Sequence, residues 1–301
     1  MNSKNIKKHL KAKVRDWVES IDNEDVKKTV LENTIVTGGA LVSLLTGEPV
    51  HDYDVYFKTK EACANVAQYY IRKWNTSHPE KQIHLKIDDE AGKISCFIRS
   101  SGIADENEEV SSPISYNFES TEEEDEAVGI EHEQSEPQEE SKDKYRPRFI
   151  TSNAITLSDK IQIVTRFYGN VEEIHKNYDF AHCTCAWSSW DNEVFLPQKA
   201  LECIINKELY YIGSKYPLCS IIRTRKYLER GYHINAGQYV KMCMQLNLLD
   251  LTNVKVLEDQ LTGVDTTYFQ MMIEDLQKHQ EELGTDKVDT GYAMQLINKL
   301  F

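Results

Sequence analysis

The chain reads as an α+β protein: helices and a mixed sheet over residues 1–190, then an all-helical domain over 191–301. Three observations predict this. Short β-branched and alternating runs, the strand signature, are interleaved with helical stretches in the first part. From Leu196 onward the apolar residues recur at helical spacing through "PQKALECIINKEL", "SIIRTRKYLERG", "NAGQYVKMCMQLN", "DTTYFQMMIEDLQKHQEEL" and "GYAMQLINKLF". Between the two lies a segment of another composition, read as an insertion over about 101–144.

Residues 4–32 predict helix, with Val14, Trp17, Val18 and Ile21 at helical spacing and Val26, Val30 and Leu31 continuing it. Asn23 suits the cap of the second piece, with acids in the following turn. "TIV" at 34–36 predicts a short buried strand, broken by Gly38-Gly39. "ALVSLLTG" reads as a helix ending at Gly47, and "HDYDVYF" alternates as a strand. A helix over "TKEACANVAQYYIRKWNTS" and a hairpin over "QIHLKID" and "GKISCFIRS" follow. Beyond the insertion, Ile150 and Thr151 suit a strand and Ser158-Asp159 suits a helix start. "NYDFAHCTCAW" reads as a strand with Tyr178, Phe180, His182 and Thr184 on one face and Asp179, Ala181, Cys183 and Cys185 on the other.

The net charge of −14 is unevenly spread. Residues 105–143 hold sixteen acids and one base, Lys142, so the rest of the chain is near neutral and free to carry a local basic groove. This acidic stretch, rich in Ser and Glu, reads as a disordered insertion and solvated linker. Seven cysteines without a Cys-x-x-Cys pair predict reduced, mostly buried thiols, the usage of a cytoplasmic protein. The basic N-terminus lacks the apolar core of a secretory signal, and no apolar run approaches the ~20 residues of a membrane span.

The chemistry concentrates at 37–55. A Gly-Gly turn lets backbone approach a ligand closely, and a helix starting behind it points N–H groups and its positive dipole end at that ligand, which favours phosphate. Alternation on the next strand puts Asp52 and Asp54 on one face, roughly 7 Å apart. Carboxylates so placed suit Mg²⁺. A Walker-type loop is excluded, because no Lys-Ser or Lys-Thr follows the glycines.

Thr37-Gly38-Gly39, twelve residues, then Asp52-Tyr53-Asp54-Val55 resembles the signature of the DNA polymerase beta-like nucleotidyltransferase superfamily, which includes tRNA nucleotidyltransferases and poly(A) polymerases. Thr37 departs from it, being only weakly hydrophobic. "RFITSNAITL" is loosely similar to a tRNA nucleotidyltransferase segment, through Arg148, Phe149, Thr151, Asn153 and Ala154. The layout also resembles nucleotidyltransferases encoded by tailed bacteriophages. The resemblance implies a polymerase-beta-like mixed sheet and transfer of a nucleoside monophosphate from an NTP to an acceptor hydroxyl, most readily on RNA, with a protein or small molecule as the alternative. It implies two Mg²⁺ ions (or Mn²⁺) held by Asp52, Asp54 and a third carboxylate. Asp179 is the preferred third ligand, since a carboxylate inside an apolar pattern needs a purpose. Asp88 and Asp89, at a turn, are the alternatives.

Ser43 is a candidate phosphate donor on the first turns of the helix after the glycines. Arg223, Lys226 and Arg230 fall on one face of a predicted helix, either as a phosphate or nucleic-acid clamp or as a solvated face with Glu229 nearby. Lys58 and Lys60 read as surface charges and Tyr178 as a packing or base-stacking residue. His182, Cys183 and Cys185 lack the second pair a zinc site needs and read as core. The rival from another class is an inactive nucleotidyltransferase-fold interaction protein.

Overall fold

The computed structural model describes residues 1–79, 82–88, 93–98, 144–151, 153–251 and 253–261, with isolated positions beyond. The acidic insertion up to residue 143, Asp89, and most of the helices read over 265–301 lie outside the described residues.

In chain order come α1 (Ser3–Glu19), α2 (Glu24–Asn33), β1 (Thr34–Thr37), α3 (Gly39–Thr46), β2 (Tyr53–Phe57), α4 (Lys60–Ser77), β3 (Ile83–Asp88) and β4 (Lys93–Ile98). Then follow β5 (Pro147–Ile150), β6 (Ala154–Leu157), β7 (Ile161–Tyr168), α5 (Val171–His175), a 3₁₀ turn (Ala181–Cys183), β8 (Ala186–Ser188) and β9 (Val194–Phe195). α6 (Gln198–Asn206), α7 (Pro217–Glu229), α8 (Ala236–Leu246) and α9 (Val254–Leu261) complete the described elements. Asn23 caps α2 as the sequence suggests, accepting from the Val26 N–H, and Thr59 caps α4 by accepting from the Ala62 N–H. Gly47 ends α3 in the left-handed conformation.

Seven strands form one sheet in the order β5-β6-β7-β2-β1-β8-β9, and β3-β4 form a separate antiparallel pair. The sheet is mixed: β2 runs parallel to β7 and antiparallel to β1. β2 is therefore a central strand, flanked on both sides by hydrogen-bonded neighbours.

Alternation decides what each face of the sheet does. Val36 of β1, with Tyr53, Val55 and Phe57 of β2, joins the main core. That core is closed by Leu10, Val14 and Trp17 of α1, Val30 of α2, Leu41 of α3 and Val66 and Tyr70 of α4. Ile35 and Tyr56 point the other way, into a smaller cluster with Ile174 and Ala186. Period-two alternation and the pairing Thr37↔Asp54 put those two polar residues on this second face.

Three expectations differ, one at the domain boundary: β9 (Val194–Phe195) lies inside the stretch expected to be all-helical and pairs with β8 in the sheet. The stretch after Ser158 is strand β7, not a helix: Ile161, Ile163 and Thr165 are buried while Gln162, Val164 and Arg166 are half-buried, a period of two. Asp159 and Lys160 sit at φ 61° and 63°, which turns the chain into the strand instead of starting a helix. The strand expected through 178–185 is a bend and the 3₁₀ turn, closed by a 2.7 Å hydrogen bond from Thr184 Oγ1 to the Ala181 carbonyl. β8 begins only at Ala186. No described helix is long and apolar enough to cross a membrane. All seven cysteines are unpaired, and only Cys243 is exposed.

The two glycines of the opening turn are not equivalent. Gly38 has φ +81°, and a Cβ there would lie 3.3 Å from both Asp54 Oδ2 and Tyr178 Oη. A Cβ at Gly39 would meet nothing within 4 Å. Gly38→Ala is expected to destabilise the fold by about 1–3 kcal/mol, and Gly39→Ala to stay within about 0.5 kcal/mol of wild type. Urea denaturation of both variants checks the difference; equal costs would contradict it.

Candidate functional site

The site is built on the end of β1. Thr37 is fully buried, and its hydroxyl lies 2.8 Å from the Cys185 carbonyl and 2.8 Å from His175 Nε2. A carbonyl only accepts, so the hydroxyl proton goes to Cys185 and the hydroxyl accepts from an Nε2–H of His175. Burial holds the His175 pKa down to about 4, so the ring is neutral. The weakly hydrophobic residue of the signature is thus a brace, tying β1 to α5 and to the chain entering β8. Ring contacts link His175 to Tyr178, and Tyr178 to Tyr56, with their centroids 5.1 and 6.3 Å apart. The Tyr178 hydroxyl donates to Tyr56 Oη at 3.4 Å.

At Gly38 the chain leaves the strand and starts α3, whose N-terminus has no side-chain cap. In its first turn the Leu41 N–H donates to the Gly38 carbonyl at 3.2 Å, and the space a Cβ would take at Gly39 is open. Ser43 lies half-buried further along α3, where its carbonyl closes the helix end by accepting from the Gly47 and Glu48 N–H groups.

Asp54 stands across from Thr37 on β2, and exposed Asp52 lies just before the strand. The Asp54 carboxyl sits against Gly38 and beneath Tyr178. Burial first, and the neighbouring Asp52 charge second, push its pKa up to about 7. Two cations from α7, Lys226 and Arg223, oppose that rise. The structure therefore brings together Gly38, Asp52, Asp54, Arg223 and Lys226.

Asp179 lies against α7. It is buried, and Arg223 Nη1 donates to its Oδ2 in an ion pair. Among the described residues, no group of three or more His, Cys, Asp and Glu side chains is arranged to hold a metal ion, so Asp52, Asp54 and Asp179 do not form a compact triad. The strands flanking β2 offer no substitute: Gln162 of β7 and Thr37 of β1 are the residues paired with Asp54.

The other candidates separate cleanly. Arg225 pairs with Glu229 at 3.1 Å on an exposed face. Arg230 caps the end of α7. His182 is buried among Phe180, Tyr227 and Tyr232, with its pKa lowered to about 3 by burial, so it is a core residue. Lys58 is exposed and lies over the Trp190 ring at 4.8 Å. The Tyr178 hydroxyl and the Thr37–His175 brace are the parts that residue patterns alone did not place; the departure at Thr37 was the available signal.

A carboxyl with a raised folded-state pKa binds its proton more tightly folded than unfolded. Its contribution is fully present below the ordinary value of 3.8 and lost as pH rises through about 7. Asp54→Asn is therefore expected to match wild type near pH 4 and to be more stable at pH 8. The gain is roughly 1–2 kcal/mol, allowing for solvent screening at a partly open carboxyl. Urea melts across this range check it; equal or lower stability at pH 8 would contradict the assigned surroundings of Asp54.

A family model described as "Gad2: Gabija anti-defense 2 family protein" matches residues 8–207. Asp52, Asp54 and Asp179 fall inside that match, and Arg223 and Lys226 beyond it. The chain is 18% identical over 291 residues to "Gabija anti-defense 2" of Bacillus phage SPbetaL7, an alignment covering 93% of this chain and 56% of the relative. The chain thus spans about half the length of that curated relative. Among solved structures it is similar to a Thermotoga maritima CCA-adding enzyme complexed with tRNA, with a TM-score of 0.37 and 11% identity over 86% of this chain and 52% of the other. A CCA-adding enzyme complexed with CTP gives 0.38 and 13% identity over 87% and 52%. Both likenesses are remote. The family match takes in more than half of the chain, and the chain belongs to the Gabija anti-defense 2 family.

Proposed function

We propose that this Gabija anti-defense 2 family chain is a nucleotidyltransferase, moving a nucleoside monophosphate from an NTP to an acceptor hydroxyl and releasing pyrophosphate. One observation carries the reading. Asp54 is a carboxyl raised to about 7, beside a second carboxylate, behind a glycine turn and an uncapped helix start, with two basic side chains opposite. A lone structural carboxylate has no use for such surroundings, whereas a site for a cation and phosphates needs both signs of charge close together.

Asp52 and Asp54 fit Mg²⁺ by donor chemistry: both offer hard carboxylate oxygens, and a cation would relieve their mutual repulsion. Mg²⁺, when bound, supplies charge neutralisation at the reacting phosphate and lowers the pKa of an attacking hydroxyl. The chain's own residues do the rest. Gly38 lets backbone come close to the phosphates, and the N-terminus of α3, which has no side-chain cap, receives them. Lys226 and Arg223 neutralise the triphosphate from α7. Ser43 would assist only from further along α3.

RNA is the acceptor favoured by the resemblance at 37–55, with a protein or small molecule as the alternative. The name of the phage relative brings an anti-defence role to this reading, with transfer acting against Gabija defence in the cytoplasm of a bacterial host. The second reading, a nucleotidyltransferase-fold binding protein without catalysis, draws on a specific observation: Asp179 is paired with Arg223 and does not complete a triad.

Labelled NTPs incubated with the protein, Mg²⁺ and RNA or protein acceptors are expected to label an acceptor, with a loss of at least about 10²-fold in the Asp52→Ala/Asp54→Ala variant. Labelling that survives the double substitution would sink the assignment. Stabilisation by Mn²⁺ and NTP without any labelling would favour the binding protein.

A further inference from the structure

We propose that Asp179 is a positioning residue for Arg223, not a metal ligand, and that the arginine it holds receives the phosphates of the bound nucleotide; this rests on the nucleotide reading of the site. The geometry is specific. Asp179 is buried, with its side chain only 5% exposed, while that of Arg223 is 34% exposed. The ion pair therefore has a fixed inner member and an outer member that reaches the surface. Arg223 Nη1 donates to Asp179 Oδ2, and its Nη2 donates to Cys219 Sγ, one turn earlier on α7, at 3.2 Å.

Asp179 is itself held by backbone. Its carbonyl accepts from the Ile212 N–H at 2.8 Å, and the next residue, Phe180, bridges to Tyr211 and is fully buried in the cluster with Leu209, Tyr232 and Met242. The preceding residue, Tyr178, places its hydroxyl against Gly38 and the Asp54 carboxyl. Residues 178–180 thus link the glycine turn to α7. Arg223 meets Asp179 at one edge of its planar fork, and the same guanidinium also acts on Asp54. The guanidinium is a planar fork, so the bonds to Asp179 and Cys219 fix the direction in which its exposed part points. A buried carboxylate is a suitable partner here because it fixes an arginine's direction without competing for the metal, and loss of that partner leaves the cation misdirected.

The test separates metal from nucleotide. Mn²⁺ affinity, followed by electron paramagnetic resonance, and affinity for a fluorescent non-hydrolysable NTP are measured for wild type, Asp54→Asn, Asp179→Asn, Arg223→Gln and the Asp179→Asn/Arg223→Gln double variant. The proposal expects Asp179→Asn to hold Mn²⁺ within about twofold of wild type while nucleotide affinity falls about tenfold. Arg223→Gln should lose at least as much, and the double variant no more than Arg223→Gln alone. Loss of Mn²⁺ in Asp179→Asn to the extent seen in Asp54→Asn, or additive losses in the double variant, overturns the proposal and leaves the nucleotide site standing. Wild-type protein that binds neither probe ends the nucleotide reading, and this proposal with it. Should Asp179→Asn fail to fold, Arg223→Lys keeps a charge opposite Asp179 and removes the fork. It should show the same tenfold nucleotide loss with Mn²⁺ unchanged, and full nucleotide affinity there overturns the proposal.

Discussion

The site depends on a contact between a backbone turn and a carboxylate. Gly38 leaves β1 at φ +81°, and Asp54 Oδ2 and Tyr178 Oη occupy the space a side chain would need. That close approach is possible only because β1 and β2 are adjacent antiparallel strands with Thr37 opposite Asp54. Strand register, the direction of α3 and the placement of residue 178 therefore all converge on one point. The brace from Thr37 to His175 and the Cys185 carbonyl keeps the end of β1 from fraying into a looser turn.

Charge organises the next layer. Asp54 is costly where it stands, since burial and Asp52 both disfavour its ionised form. The fold tolerates it because the large core on the other face of the sheet is assembled without it. α7 carries the exposed Arg225–Glu229 pair and, three residues apart, Arg223 and Lys226, whose positive charges act on Asp54. Asp179 neutralises Arg223 from the buried side, so the acidic groups stand in different surroundings: Asp54 beside Asp52, and Asp179 against an arginine.

Much of this was legible in the residues. The strand, glycine turn, helix and strand over 34–57 follow from β-branched runs, Gly-Gly and alternation, and the structure forms them at those places. The helices α1, α2, α4, α6, α7 and α8 were equally plain, because their apolar residues recur at helical spacing. Two segments misled for physical reasons. "IQIVTRFY" carries its apolar residues at a period that suits either element over a short run, and only the left-handed backbone of Asp159 and Lys160 decides for strand. "NYDFAHCTCAW" looks like a strand, yet Asp179 is committed to α7 and Thr184 closes a turn. An ion pair between residues 44 apart leaves no trace in local pattern. For the same reason the partner of Asp179 is visible only in the fold, whereas the spacing of Asp52 and Asp54 is visible in the sequence.

The most direct measurement is a crystal structure with Mg²⁺ and a non-hydrolysable NTP. The account predicts a metal between Asp52 and Asp54, phosphates over Gly38, Gly39 and the start of α3, and Arg223 contacting a phosphate while still bonded to Asp179. A nucleotide bound elsewhere, or none bound at saturating concentration, would contradict the central claim.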